Sequence, residues 1–186
     1  EPEVEIRYVP WVDDDARNQY VSSDGHERRQ LAATNPAKAD EVAHLLSRHA
    51  DKKALVFCDY LDQGRALSAH LDVPFVSGQM PHSRRERLLS EFRRGDRDTL
   101  IVSRVGDEGI DLPDAELAVV ASGLGGSRRQ GAQRAGRTMR PEGRSLVYVL
   151  ATRGSREEDF AQRRMRHLSS KGVRVSEGEA EAVDED

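Results

Sequence analysis

From residue 34 onward, short apolar runs alternate with amphipathic stretches. Residues 53–58, KALVFC, form a continuous apolar run of strand length, and Val73–Val76, Leu100–Val102, Leu117–Ala121 and Ser145–Leu150 read as further strands. Between them, apolar residues recur at helical spacing. Asn35-Pro36 predicts an N-cap with proline at the first helical position, and Val42, Leu45 and Leu46 form the stripe that follows. Leu61, Leu67 and Leu71 mark a second helix, and Leu88, Leu89 and Phe92 are the apolar face of a charged helix over 83–94. Helices are also predicted over 127–139 and 156–170. Strand and helix in regular alternation predict parallel βαβ units with helices on both faces of the sheet. Functional residues in such a sheet lie on loops at the carboxyl ends of strands. Residues 1–33 fit the alternation less well and are read as a connector. Val4, Ile6 and Tyr8 nevertheless alternate as in a short strand, and Asp13-Asp14-Asp15 reads as a helix start. The expected organisation is a connector over 1–33, a domain over 34–174 and an acidic, disordered tail over 175–186.

Composition narrows the function classes. The 186 residues contain no apolar run long enough to span a membrane. The opening EPEVEIRYVP lacks the basic and apolar halves of a signal peptide, so an intracellular protein is expected. The net charge of −4 is unevenly spread. Residues 63–174 hold 21 bases and 14 acids, a net of +7, whereas the last 12 residues hold 6 acids and no base. A basic body between acidic margins suits a polyanion such as nucleic acid or a nucleotide phosphate, although a solvated surface also accounts for it. Of the 29 bases, 25 are arginine, the residue that grips phosphate bidentately. A single cysteine, Cys58, excludes an internal disulfide and a multi-cysteine zinc site.

Two segments carry candidate chemistry. In Gln133-Arg134-Ala135-Gly136-Arg137-Thr138-Met139-Arg140-Pro141, the three arginines recur every third residue and share one helix face. Such a face repels itself unless an anion sits against it. Gly136 inside a helix costs roughly 1 kcal/mol against alanine, which suggests close backbone approach. The other segment, Ser103-Arg104-Val105-Gly106-Asp107-Glu108-Gly109-Ile110-Asp111-Leu112-Pro113, follows a buried strand directly. Its glycines can turn backbone N–H groups toward a ligand, and Asp111 can accept from a hydroxyl such as a ribose. Each segment alone could be an exposed basic helix or an ordinary loop.

Together, GIDLP and QRAGRTMRP resemble motifs V and VI of superfamily 2 helicases, and KALVFCDY resembles motif IV. Ser77-Gly78-Gln79-Met80-Pro81, Arg85 and EFRRG match the segment that follows motif IV. The wording RVGDEGIDLPDA and GGSRRQGAQRAGR is most similar to the XPB/Rad25 branch. The resemblance covers residues 34–172 and implies the second of two RecA-like domains, a three-layer α/β/α fold with a mainly parallel central sheet. It implies an ATP site shared with an N-terminal RecA-like domain. Arg137 and Arg140 would be arginine fingers on the γ-phosphate, and Gly109, Asp111, Gln133 and Arg134 would line the nucleotide. Ser103, Arg104, Arg85 and Gly78 would meet the DNA backbone. DNA, the N-terminal RecA-like domain, and repair nucleases or transcription and repair factors are the implied partners. The implied compartment is the cytoplasm in a prokaryote and the nucleus in a eukaryote.

No G-x-x-x-x-G-K-[ST] occurs in the sequence, and no Asp-Glu pair follows a strand as a Walker B carboxylate does. ATP and Mg²⁺ would therefore be held mainly by the other half of a longer motor, and this chain by itself is expected not to hydrolyse ATP. A helicase-fold binding module without catalysis is the alternative, and retention of Arg137 and Arg140 argues against it. Cys58 followed by Arg65 faintly suggests a phosphatase loop, but six residues intervene where five are needed. Asp59 and Asp62 would also raise the thiol pKa. Cys58 is expected to be a small buried hydrophobe, and Trp11 a packing residue. The six histidines show no metal-ligand spacing, so no metal site is expected in the chain itself.

Overall fold

The computed structural model describes residues 3–103, 112–123 and 145–180. Seven strands form one sheet in the order β3-β4-β2-β5-β6-β1-β7, and every neighbouring pair is parallel. The strands are β1 (Glu3–Val9), β2 (Ala54–Cys58), β3 (Phe75–Val76), β4 (Thr99–Ser103), β5 (Leu117–Val120), β6 (Leu146–Thr152) and β7 (Val175–Glu179). The described helices are α1 (Asp14–Ser22), α2 (Gly25–Ala33), α3 (Ala37–Arg48), α4 (Leu61–Leu71), α5 (His82–Arg94) and α6 (Arg156–Ser170). The helix expected over 127–139 lies outside the described residues.

Burial explains the layering. All five residues of β2 are buried, as a central strand covered on both faces must be. Alternate residues of the strands feed two cores. Leu55, Phe57, Leu100 and Val102 join Leu88, Leu89 and Phe92 of α5 and Ala161 of α6 on one face. Val56, Ile101, Val119 and Leu150 join Val42 and Leu45 of α3 and Leu67 of α4 on the other. This is the expected three-layer α/β/α arrangement. At Gly64 in α4 a Cβ would overlap the Phe75 ring, so glycine is what lets β3 lie this close to the helix.

Both expected margins belong to the sheet. β1 is an interior strand, in register with β6 from Glu3↔Leu146 to Val9↔Thr152, and its other edge holds β7. The connector expected over 1–33 is thus part of the domain from Glu3 onward. Its alternation was legible, but its neighbours come from the far end of the chain. Asp13 does start α1, accepting from the Ala16 N–H at 2.8 Å. The acidic tail expected from residue 175 begins with the edge strand β7. Its acids are ordered by bases and hydroxyls across the sheet. Glu179 pairs with Arg153, and its carbonyl accepts from Arg7 Nη2 at 2.8 Å. Glu177 accepts from the Tyr8 hydroxyl at 3.3 Å. Residues 181–186 lie outside the described residues.

Candidate nucleotide and nucleic-acid site at the carboxyl edge

Because the strands are parallel, all their carboxyl ends meet one rim. β4, β2 and β5 are adjacent there, and their last residues lead to Ser103, Asp59 and Ala121-Ser122-Gly123. The chain runs on toward the two motif segments from β4 and β5, the strands on either side of β2, whose ends are about 10 Å apart given normal strand spacing. Ser103 is fully buried. The chain leaves β5 through Gly123 at a φ of +111°, and a Cβ there would sit 3.6 Å from the Asp59 carboxyl carbon. The Asp59 N–H donates to Ser122 Oγ at 2.7 Å.

Three of the expected nucleic-acid residues, Gly78, Arg85 and Ser103, are described, and the full burial of Ser103 leaves it no surface to offer a strand. Val76 of β3 is in register with Val102 of β4, which brings the Ser77-Gly78 turn alongside Ser103. Arg85 lies in the first turn of α5 and donates from Nη2 to His82 Nδ1 at 3.0 Å. Its Nε is buried and has no hydrogen-bond partner among the described residues. Arg104, Gly109, Asp111, Gln133, Arg134, Arg137 and Arg140 lie outside the described residues.

Beneath the rim runs a belt of buried polar groups that the motif search missed. Lys38, in the first turn of α3, is 1% exposed. Its ammonium uses all three donors: to Ala33 O at 3.1 Å, to Ala121 O at 2.7 Å and to Glu157 Oε1 at 2.8 Å. Burial pushes the Lys38 ammonium below the ordinary lysine value, and the Glu157 carboxylate opposes that shift. Glu157 also accepts from the Thr152 N–H at 3.1 Å. Ala33 O takes a second bond, from Gln63 Nε2 at 2.8 Å, and Ser122 donates to Gln63 Oε1 at 2.6 Å. Asn35 Oδ1 caps α3 at the Ala37 N–H, while its Nδ2 donates to Pro10 O at 2.9 Å. An unbroken chain of hydrogen bonds therefore links Glu157, Lys38, Ala33, Gln63, Ser122 and Asp59 below the rim. One signal of it was in the sequence. A cation in the first turn of a helix opposes the dipole, so Lys38 needed a carboxylate or carbonyls to hold it there.

Cys58 is buried with its Sγ 3.9 Å from Val102 O, as a small core residue should be. The Trp11 ring packs 5.0 Å from that of Tyr20, its expected packing role. Among the described residues, no group of three His, Cys, Asp or Glu side chains could hold a metal ion.

Comparison with known proteins gives this geometry a family. The chain is 67% identical to the Rad25 protein of Halobacterium salinarum over 180 residues, covering 97% of this chain and 30% of that protein. It is 35% identical over 184 residues to a DNA 3'-5' helicase XPB of Kineococcus radiotolerans, covering 97% of this chain and 33% of that protein. It thus spans about a third of the length of these curated relatives. The C-terminal domain of a Sulfolobus solfataricus SWI2/SNF2 ATPase superposes with a TM-score of 0.63 at 16% identity, covering 93% of this chain and 90% of that one. At that identity the likeness speaks for the fold alone. The family described as ERCC3/RAD25/XPB C-terminal helicase matches residues 10–176, a span that takes in both motif segments and the Lys38 belt, and the chain belongs to that family.

Proposed function

We propose that this chain is the C-terminal motor domain of an ATP-dependent DNA helicase or translocase of the XPB type. The family match over residues 10–176 carries the reading. In this reading ATP lies between the carboxyl rim and an N-terminal RecA-like domain of the same protein. Arg137 and Arg140 reach the γ-phosphate and stabilise charge that develops in the transition state. Gly109, Asp111, Gln133 and Arg134 line the nucleotide. Gly78, Arg85 and Arg104 grip the DNA backbone, while Ser103, fully buried at the end of β4, supports that end of the strand and does not itself touch DNA; contacts to phosphate position a strand without reading its sequence. Mg²⁺ would be held with ATP mainly by the other half of the motor, since this sequence contains no P-loop. DNA, the N-terminal half, and repair or transcription factors are the proposed partners, and the cytoplasm of a prokaryote the proposed compartment.

The test uses the full-length protein. Arg137→Ala and Arg140→Ala should each lower kcat for DNA-stimulated ATP hydrolysis by roughly 10³-fold or more, with DNA affinity nearly unchanged. Lysine should not rescue, since a point charge cannot copy the guanidinium fork. The double variant should be little worse than the poorer single one. If Arg137→Ala lost DNA binding and kept its ATPase activity, that arginine would belong to the nucleic-acid groove instead.

A further inference from the structure

The belt beneath the rim is more elaborate than a packing role requires. A buried ion pair is weak evidence for stability, because well-packed apolar side chains commonly do as well. What the Lys38 ammonium provides, and an apolar side chain cannot, is direction. Its three bonds run to the end of α2, the carboxyl end of β5 and the start of α6. The β5 bond is to Ala121, two residues before Gly123, where the chain departs toward the segment containing Arg137 and Arg140. The next residue, Ser122, is held from the other side by Gln63 and by the Asp59 N–H. The last two residues before that departure are therefore tied on both sides, to α3 and α6 through Lys38 and to β2 and α4 through Ser122.

We propose that Lys38 is a positioning residue for ATP hydrolysis, fixing the carboxyl end of β5, from which the chain runs on to Arg137 and Arg140. This inference rests on the functional reading above. Lys38 touches no substrate in it. It acts through the backbone at Ala121, and Glu157 acts by holding the ammonium. Misplacement of a reacting group by about 1 Å costs up to roughly 10²-fold in rate, so a tether at the carboxyl end of β5, on the rim, has leverage.

The test again uses the full-length protein. Lys38→Met combined with Glu157→Gln removes both charges together. It keeps an acceptor for the Thr152 N–H but leaves Ala121 O without its donor. A variant that folds normally should lose about tenfold or more in kcat. KM for ATP and Kd for DNA should stay within about twofold, because ground-state binding is untouched. When added to Arg137→Ala, the pair should cause little further loss, since both act on one step. Ser122→Ala cuts the second tether and should lower kcat in the same pattern by a smaller factor, so the idea stands or falls even if the double variant fails to fold. An unchanged kcat in the folded variants would overturn the proposal. So would a loss that adds fully to that of Arg137→Ala, or one that merely tracks the unfolded fraction. If the unaltered protein shows no DNA-stimulated ATPase activity, the functional reading itself fails, which is a separate outcome.

Discussion

Helix α5 and the belt around Lys38 both concentrate charge, and they dispose of it in opposite ways. On α5, Arg84, Arg87, Arg93 and Arg94 are exposed, and the side chains of the Arg94–Asp96 pair are each about 60% accessible. Pairs of that kind contribute little to stability. The apolar stripe of Leu88, Leu89 and Phe92 docks the helix, which leaves Arg84 and Arg87 facing solvent. In the belt, Lys38 and Glu157 are 1% and 7% exposed and every donor of the ammonium is used. Charge on α5 can be exchanged with a partner. Charge in the belt is committed to the fold. A basic residue in this sequence therefore cannot be assigned to DNA contact by composition alone.

Breaking the belt should have the largest effect. Lys38→Met by itself leaves the Glu157 carboxylate buried without its cation and should cost about 3–5 kcal/mol, visible as a large drop in the thermal midpoint. Addition of Glu157→Gln should recover most of that loss. Without such recovery, the loss would come from the bonds to Ala33 O and Ala121 O and not from the uncompensated carboxylate. Asn35→Ala should come next. It removes the α3 cap and the bond to Pro10 O, at about 1–2 kcal/mol in denaturant titrations. The smallest effect on stability belongs to α5. Arg84→Ala and Arg87→Ala should each stay within about 0.5 kcal/mol of the parent. In DNA binding the order should reverse. Each α5 substitution should weaken affinity regardless of sequence and reduce the salt-dependence slope by about 1. An unchanged slope would remove α5 from the DNA surface.

Much of the fold was legible because it is written locally. The run 53–58 became β2 without its leading Lys53, and Leu88, Leu89 and Phe92 did bury α5. Asn35 caps α3 where a cap was expected, and Asp13 caps α1 where a helix start was expected. The candidate site was legible as text. GIDLP and QRAGRTMRP stood out because such wording is rare by chance, and the β3–β4 register brings the Ser77-Gly78 turn alongside Ser103. Other features could not be read so. The acids of 175–179 argued for disorder, and it is pairing with β1, with Arg7, Tyr8 and Arg153 beside the acids, that makes a strand of them.

The sequence by itself determined the alternation of strand and helix, the faces each helix buries and the motifs that name the family, since periodicity, capping and wording are properties of neighbouring residues. Tertiary structure alone decided that β1 lies between β6 and β7, and that Lys38 closes a belt under the rim. The physical reason is distance along the chain. Lys38 meets Ala121 and Glu157 across 83 and 119 residues, and no local pattern says which carbonyl or carboxylate a buried ammonium will find. That choice is made when the sheet closes and burial leaves an unpaired charge too costly to keep.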